Sequence, residues 1–199
     1  MRFRRRQTSD HPVDGADPDA LLVTWARHNP QAFTALYDRY FPVVHGYCLS
    51  QLGDADAADD ATSQTFLKAL VALPTYKETG RFRAWLFVIA HNAVQDAFRA
   101  RRVQEPLEAA VNVFDCEITP EERAIAAFDR AWLDGVIARL PAADRQVLEL
   151  RRAGLSGQEI AAVLGISHEA AKKRQLRAMD HVRAEISTAA DRQEVLRGA

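Results

Sequence analysis

The residues with the clearest chemistry in this chain are a run of cations in its last quarter. Lys172, Lys173, Arg174, Gln175 and Arg177 fall within six positions of a segment with helical composition. Cationic side chains neutralise phosphates, and a lysine or arginine can also donate hydrogen bonds to a guanine edge in the major groove. Their type and spacing therefore predict a helix that contacts DNA.

The residues before this run supply what is needed to present such a helix. Ile160, Ala161 and Leu164 recur at helical spacing and can face a core. Gly165 can take the left-handed conformation that ends a helix, and Ser167 can cap the next one. Together they predict a helix-turn-helix, the motif that places its second helix in the major groove.

The charges are distributed unevenly along the 199 residues, although the net charge of −1 does not indicate a nucleic-acid binder. Residues 81–102 carry five arginines and one acid, and residues 166–183 carry five basic residues and two acids. Residues 103–122 carry six acids and no base. Two basic helices flanking an acidic segment form a pattern that the whole-chain sum conceals.

The composition argues against several other classes of protein. The longest uninterrupted apolar run, 84–90, is far too short to span a bilayer, and no signal peptide is visible, so a cytoplasmic protein is expected. Cys48 and Cys116 are far apart in sequence and are expected to act as small apolar residues. No phosphate loop, metal motif or catalytic constellation appears, so we expect no cofactor, no metal and no enzymatic activity.

Apolar residues recur every three or four positions through most of the chain, and no strand-like alternation is found. The pattern predicts an all-α protein of two small helical domains, 18–102 and 123–187. A flexible acidic linker, 103–122, is expected to join them. Residues 1–17 are polar and expected to be disordered, and 188–199 are expected to form a C-terminal tail.

The spacing also selects inward-facing residues in the first domain. Leu21, Leu22 and Trp25 are predicted to form the apolar face of the first helix, and Phe66 and Leu70 are assigned to the core. For Trp85, packing in the core is favoured over a contact with a ligand.

Three segments resemble, in the same order and at the same spacing, parts of one protein family. Residues 56–69 (DAADDATSQTFLKA) resemble the core-polymerase-binding helix of bacterial sigma factors. Residues 82–92 (FRAWLFVIAHN) resemble their promoter-melting, −10-reading helix, and residues 140–150 (LPAADRQVLEL) with the helix-turn-helix resemble their −35-reading domain. The match covers roughly 19–187 and is similar to the small factors of the extracytoplasmic-function (ECF) group of the sigma-70 family.

The resemblance implies which residues make each contact. Binding to core polymerase falls to exposed residues of the first segment: Asp59, Asp60, Ser63 and Gln64. Contact with the −10 element falls to one amide and five cations: Arg81, Arg83, Asn92, Arg99, Arg101 and Arg102. The loop 75–81 is expected to receive a flipped base. Contact with the −35 element falls to the recognition helix: Lys172, Lys173, Leu176 and Arg177. The implied partners are core RNA polymerase, promoter DNA and an anti-sigma factor, with no insertion into a membrane.

The chain departs from the family pattern at some of these positions. Ser63-Gln64 stands where many relatives have Gln-Glu, which removes a carboxylate. Ala170-Ala171 replaces a common Thr-Val pair, and Lys173 stands where a small polar residue is usual. The resemblance therefore does not give the promoter sequence.

Two other functions are compatible with the residues alone. A stand-alone helix-turn-helix regulator that dimerises through 19–102 would bind a palindromic duplex tightly without polymerase. An adaptor that sequesters polymerase without reading DNA would leave both basic helices unexplained. The acidic segment 103–122 is either a soluble tether or a mimic of nucleic acid along the RNA path.

Overall fold

A computed structural model describes the backbone over 19–77, 80–104 and 133–197, and the side chains over 19–77, 80–101 and 133–188. These residues fold into helices, with short 3-10 turns before the second helix and after the third. In chain order the helices are α1 Ala20–Ala26, α2 Phe33–Leu52, α3 Ala55–Ala72, α4 Phe82–Gln104, α5 133–138, α6 Ala142–Arg152, α7 Gly157–Leu164 and α8 His168–Arg197. None of the described helices is long and apolar enough to cross a bilayer.

The predicted all-α architecture with two helical domains is confirmed. The first unit is built from α1–α4 and the second from α5–α8. The segment 1–17, predicted to be disordered, lies outside the described residues, as does the predicted linker 103–122 except for 103–104, which continue α4. Residues 188–197, expected to form a tail, continue α8.

The first unit packs around aromatic side chains of α2 and α4. Tyr40 and Tyr47 of α2 and Phe82 and Phe87 of α4 are all fully buried. The rings of Tyr40 and Phe82 meet edge to face at 5.5 Å between centroids, and those of Tyr47 and Phe87 at 5.6 Å. Edge-to-face contact is a favourable geometry for aromatic rings, so two separate pairs fix α4 against α2.

The predicted orientation of α1 is wrong for Leu21 and Trp25, whereas Leu22 is partly buried against the core as predicted. Val23 is buried, whereas Leu21 is 87% exposed and Trp25 is 59% exposed. The helix is anchored at its start, where the buried carboxylate of Asp19 accepts a hydrogen bond from the Tyr40 hydroxyl. A helix of two turns contains too few repeats for apolar spacing to define its buried side, so this polar anchor decides the orientation.

The second unit has a small core of its own, which joins α5, α6 and α8. Its buried residues come from all three helices: Val136, Ile137, Leu140, Leu148, Ala178 and Val182. The inward positions predicted for α6, which include Val147, Leu148 and Leu150, are confirmed as buried. Of these, Leu148 belongs to the small core, whereas Val147 and Leu150 face the first unit.

The two units pack directly against each other. Helix α7 lies on α4 and α6 lies on α2. A single cluster of buried residues runs across this contact, which we call the domain interface. The second unit contributes these members: Val147, Leu150, Leu155, Ile160, Ala161, Val163 and Ala171. The sequence predicted a flexible joint and gave no indication of this packing. Apolar spacing shows which side of a helix is buried, but it does not show which other helix covers that side.

The domain interface also contains ionisable groups. Glu149 of α6 is buried, and it accepts hydrogen bonds from Ser50 of α2 and from Arg152 at 3.1 Å. Burial raises the pKa of Glu149, and the charge of Arg152 opposes part of that rise. Next to it, the Tyr47 hydroxyl lies 3.0 Å from Nδ1 of His91, and burial lowers the pKa of His91.

Charged or titratable groups face Glu149 from three helices. Arg145 and Arg152 lie on the same helix, and Asp134 lies on α5 and pairs with Arg152 at 2.9 Å. Tyr47 faces it from α2. A change in the charge of Glu149 therefore acts on the contact between α6 and α2 as well as on α6 itself.

Replacing Glu149 by Gln should change how stability depends on pH. A carboxyl group whose pKa is raised by folding stabilises the folded state below its ordinary pKa, and that contribution is lost as the pH rises through the raised value. We expect the unfolding free energy of the wild type, relative to Glu149→Gln, to increase as the pH falls from 7 towards the ordinary value of 4.5.

The measurement is urea unfolding of both proteins at a series of pH values. His91 and the other titrating groups occur in both chains, so their contributions cancel to first order in the difference. A difference that does not vary with pH would contradict the assignment of the raised pKa to Glu149.

Candidate nucleic-acid interface

The helix-turn-helix has the capping that its residues predict. Ser156 and Glu159 form a reciprocal capping box at the start of α7, with the Ser156 amide 2.8 Å from Oε2 of Glu159. Gly165 ends α7 with φ of 62°. Oγ of Ser167 then accepts the amide hydrogen of Ala170 at 3.2 Å and so caps α8. The turn therefore fixes the direction of α8 by local bonds alone.

The three residues predicted to pack behind this motif do so. Ile160 and Ala161 are buried, and Leu164 is partly buried. Val163 is also buried, and its contact with the rest of the core was not predicted.

The first turns of α8 present the cations to solvent. Lys172, Lys173 and Arg177 are exposed, and Leu176 is 55% exposed between them. A shallow groove along the helix is lined by Lys173, Leu176 and Arg177. Arg177 is also tied to its own domain, because its Nη2 lies 3.3 Å from the buried carboxylate of Asp144. The two lysines are thus the cations of this group that are most available to DNA.

A second groove lies between α3 and α4, and we call it the α3–α4 groove. Trp85, Ile89 and Asn92 of α4 line one side of it, and Lys68 of α3 and Arg99 of α4 contribute cations at its edge. An aromatic ring, an amide and two cations are the groups that hold an unstacked base and its phosphates. The geometry is therefore compatible with single-stranded nucleic acid.

Trp85 packs against the core, as favoured from the sequence, and it also lines the α3–α4 groove. Its ring packs against Tyr76 at 4.8 Å and against Phe82 at 5.5 Å between centroids. Because the side chain is only partly buried, one part of the ring is left to line the groove.

The charges at the groove are already paired in part. Asp96 accepts from Arg99 at 2.8 Å and from Lys68 at 3.3 Å. All three side chains are exposed, and exposed ion pairs contribute little to stability. Arg99 and Lys68 can therefore exchange this carboxylate for a phosphate at small cost.

The arginines predicted to contact one DNA strand do not share one side of α4. Arg99 lies on the same side as Asn92, seven residues away, whereas Arg83 and Arg101 each lie nine residues from Asn92 and so about 180° around the helix. Arg81 is exposed just before the helix. The side chain of Arg102 lies outside the described residues.

Arg83 is instead found at the domain interface. Its guanidinium lies over the ring of Tyr40, 5.8 Å from the centroid. Nη1 also approaches Gly154 so closely that a Cβ on that residue would lie 2.3 Å away. Gly154 has φ of +87° and belongs to the turn between α6 and α7.

The residues assigned to polymerase binding lie together on the outer side of α3. Asp59, Asp60, Ser63 and Gln64 are all exposed. Oδ1 of Asp59 lies 2.9 Å from Nε2 of His45 on α2. We call this surface the α3 face.

Sequence reasoning missed the apolar end of the α3 face. Leu67 is 63% exposed and Val71 is 74% exposed, and they follow Asp60, Ser63 and Gln64 at helical spacing. Leu70, which was assigned to the core, is 38% exposed, whereas Phe66 is buried as expected. Helical spacing could have identified Leu67 and Val71, because it places them on the side of α3 opposite the buried residues Ala61, Thr65 and Ala69.

Cys48 is fully buried in α2, as predicted for a small apolar residue. Burial raises the pKa of Cys48 to about 11, against a hydrogen bond with Thr62 that lowers it. Cys116 lies outside the described residues. Over the described ranges, no group of three His, Cys, Asp or Glu side chains is arranged to hold a metal ion.

Comparison with protein families identifies both units. Residues 36–103 match the model of sigma-70 region 2, and residues 130–182 match the model of sigma-70 region 4. The first match covers most of α2–α4, and the second covers α5, α6, α7 and the first half of α8.

Individual proteins with similar sequences are sigma factors of one group. The chain is 37% identical to the ECF RNA polymerase sigma factor ShbA of Streptomyces griseus over 178 residues, which covers 83% of this chain and 93% of that protein. It is 32% identical to the ECF RNA polymerase sigma factor SigD of Mycobacterium tuberculosis over 187 residues, which covers 90% of this chain and 88% of that protein.

The fold is similar to that of a solved sigma factor. The structure of CnrH in complex with the cytosolic domain of CnrY superposes with a TM-score of 0.62 at 28% identity and covers 87% of this chain and 99% of that one. CnrH of Cupriavidus metallidurans is an RNA polymerase sigma factor.

Cys48 should be almost unreactive towards thiol reagents in the folded protein. At pH 8 a pKa of about 11 leaves a thiolate fraction about 100-fold below that of an ordinary cysteine, and burial blocks the reagent as well. In a Cys116→Ser variant, where Cys48 is the only thiol, we expect labelling at least about 100-fold slower than in denaturant. Labelling at similar rates in both conditions would show that Cys48 is accessible and suited to redox sensing.

Proposed function

Because the chain belongs to the extracytoplasmic-function group of the sigma-70 family, we propose that its three exposed surfaces divide the work of a sigma factor. The protein binds core RNA polymerase and directs promoter-specific initiation of transcription. In this proposal the α3 face docks on the polymerase, the α3–α4 groove takes the −10 element, and the start of α8 reads the −35 element. The family assignment does not favour the stand-alone regulator.

The observation that carries this division is the α3–α4 groove on the same chain as a capped helix-turn-helix. A helix-turn-helix is suited to duplex DNA, whereas a groove with an aromatic side, an amide and edge cations is suited to an unstacked strand. Only a protein that both finds a duplex and holds it open needs the two together.

The α3 face combines acids with an apolar end. Asp59 and Asp60 favour a basic partner, and Leu67 and Val71 add apolar surface that becomes buried on docking. By the resemblance, this partner is the pair of clamp helices on the largest polymerase subunit. Ser63 and Gln64 carry no charge, whereas many relatives have a carboxylate at this place. Asp60 and Leu67 are therefore expected to contribute a larger share of the free energy of docking than in those relatives.

The −10 contacts divide between two sides of α4. An unstacked base packs against Trp85 and pairs with the amide of Asn92, while Arg99 and Lys68 hold phosphates. The loop 75–81 receives the flipped base, as the resemblance implies. Arg81 extends this set from the loop before α4. Arg101 and Arg102 act on the flanking duplex, since they lie at the far end of the helix.

The −35 contacts belong to the exposed side of α8. Lys172 and Lys173 contact phosphates or guanine edges, and Leu176 packs against the groove floor. Arg177 contributes a phosphate contact, which is weakened because its guanidinium also pairs with the Asp144 carboxylate.

An anti-sigma factor completes the set of partners that we propose. The CnrH structure contains the cytosolic domain of CnrY, and a second structural neighbour at 22% identity, a Bartonella quintana sigma factor, was solved with the anti-sigma factor NepR. We propose that the present chain likewise binds an anti-sigma factor. We also propose that it is cytoplasmic and catalyses no reaction itself.

Run-off transcription on a genomic fragment library, with core polymerase with and without the protein, tests the proposal. We expect new, discrete start sites that share sequences near −35 and −10. Failure to bind polymerase, combined with tight binding of the free protein to duplex DNA, would instead establish a stand-alone regulator. Binding to polymerase without new starts would indicate an inhibitor.

Two substitutions should separate the roles of the two DNA-binding surfaces. In the holoenzyme, Lys173→Ala should weaken promoter binding by about 5- to 150-fold, the range for loss of one base contact worth about 1–3 kcal/mol. Asn92→Ala should leave initial binding near its normal level and reduce strand opening. Footprinting measures the first effect and permanganate reactivity of unpaired thymines measures the second.

Arg139→Ala is the control, because it removes an exposed cation from the second unit whose partner is Glu185 rather than DNA. It should change neither quantity. Equal loss of both quantities for Lys173→Ala and Asn92→Ala would contradict the division between the surfaces.

A further inference from the structure

We propose that His45 is a positioning residue for docking on polymerase: it holds the carboxylate of Asp59 in place on the α3 face, and it weakens docking when it takes up a proton. The inference rests on the proposed function, because it concerns the surface that docks on core polymerase. The sequence alone did not single out His45, which lies on α2, 14 residues before its partner on α3.

The ring of His45 is held by a row of aromatic side chains along α2. Tyr37, Phe41 and His45 follow one another at intervals of four residues, so they share one side of the helix. The rings of Phe41 and His45 stack, with 5.5 Å between centroids and 15° between the ring planes. Tyr37 packs on Phe41 at 5.2 Å and on Phe66 of α3 at 4.7 Å. The imidazole is therefore fixed relative to α3 by ring contacts.

A hydrogen bond joins this ring to the α3 face. Nε2 of His45 lies 2.9 Å from Oδ1 of Asp59. An ionised carboxylate only accepts hydrogen bonds, so Nε2 carries the hydrogen that lies between the two atoms. The same bond serves the neutral ring and the cation, because the added proton goes to Nδ1. Titration of His45 therefore changes the charge of the pair and keeps its geometry.

The two partners differ in exposure. The side chain of His45 is 28% exposed, whereas that of Asp59 is 66% exposed. An exposed side chain that becomes ordered in an interface loses conformational entropy on binding, and this loss opposes association. Because His45 already restricts the Asp59 carboxylate in the free protein, part of that loss is removed from docking.

The surroundings of His45 contain few groups that titrate. Asp59 faces the ring from α3, and Asp56 and Asp60 lie within one turn of Asp59. The positions one turn away on α2 hold no side chain that changes charge between pH 5.5 and 8, since burial raises the pKa of the cysteine to about 11: Phe41, Pro42, Cys48 and Leu49.

The other helices that pack on α2 do so on different sides of it. Helices α1, α4 and α6 contact α2 through Tyr40, Tyr47 and Ser50. These positions lie about 140–200° around the helix from His45. The charge of His45 therefore acts mainly on the acids of the α3 face.

The sign of the pH effect follows from this arrangement. Histidine is the side chain that changes charge between pH 5 and 8. Above this range a neutral His45 orients Asp59 and leaves its full negative charge to a basic partner. Below this range the cation offsets one negative charge of the α3 face, so the affinity for polymerase falls.

Two substitutions at His45 separate positioning from simple packing. His45→Phe keeps a ring against Phe41 but has no donor, whereas His45→Gln places an amide donor near the position of Nε2 and cannot become charged. At pH 8 we expect His45→Phe to raise the dissociation constant for core polymerase by about 2- to 5-fold and His45→Gln to match the wild type. Fluorescence anisotropy of the full-length protein, labelled at its α-amino group, measures the constant. The opposite order of the two variants would show that only the ring matters and would overturn the inference.

An Asp59→Ala background tests whether His45 acts through its partner. In that background His45→Phe should cause no further loss of affinity at pH 8, because the carboxylate that His45 positions is absent. A loss as large as in the wild-type background would show that His45 acts on polymerase by another route and would contradict the inference.

The pH dependence is measured as the ratio of two dissociation constants, that of the wild type over that of His45→Gln. Polymerase groups titrate equally in both experiments, so they cancel in the ratio. We expect the ratio to rise from about 1 at pH 8 to about 2–5 at pH 5.5. His181→Gln removes an exposed histidine of α8 and should bind like the wild type at every pH.

The outcomes separate this inference from the proposed function. Tight binding with a ratio that stays at 1, or a rise that His181→Gln reproduces, would reject the role of His45 alone. Failure of the wild type to bind core polymerase at any pH would reject the proposed function, and the role of His45 with it.

Discussion

The packing of α4 is the constraint on which the rest of the structure depends. Phe82, Leu86, Phe87 and Val94 are buried on the inner side of this helix. That burial fixes its rotation, so Asn92 and Trp85 are directed to the α3–α4 groove. A reading surface built on a buried helix keeps its geometry better than one built on a mobile segment.

The separation of charge follows from the same arrangement. Acids lie on the outer side of α3, and cations lie along the α3–α4 groove and at the start of α8. A protein with a net charge of −1 can therefore offer a basic surface to DNA and an acidic one to a protein partner. Asp96 pairs with both Arg99 and Lys68 in the α3–α4 groove, and its carboxylate orients these two cations while no DNA is bound.

The sequence predicted those parts of the site that local bonds determine. The helix-turn-helix was readable because Gly165 and Ser167 define its turn within a few residues. Leu67 and the interface position of Arg83 were not readable, because they depend on which distant helix packs alongside. The orientation of α1 failed for a related reason, since its anchor is a hydrogen bond between Asp19 and Tyr40, 21 residues apart.

The domain interface combines apolar side chains with titratable groups. Burying Leu150 and Ile160 stabilises the contact, whereas taking Glu149 and Tyr47 out of water costs free energy. The hydrogen bonds that Glu149 accepts from Ser50 and Arg152 recover part of that cost. The net stability of the contact is therefore smaller than its buried apolar area alone would suggest.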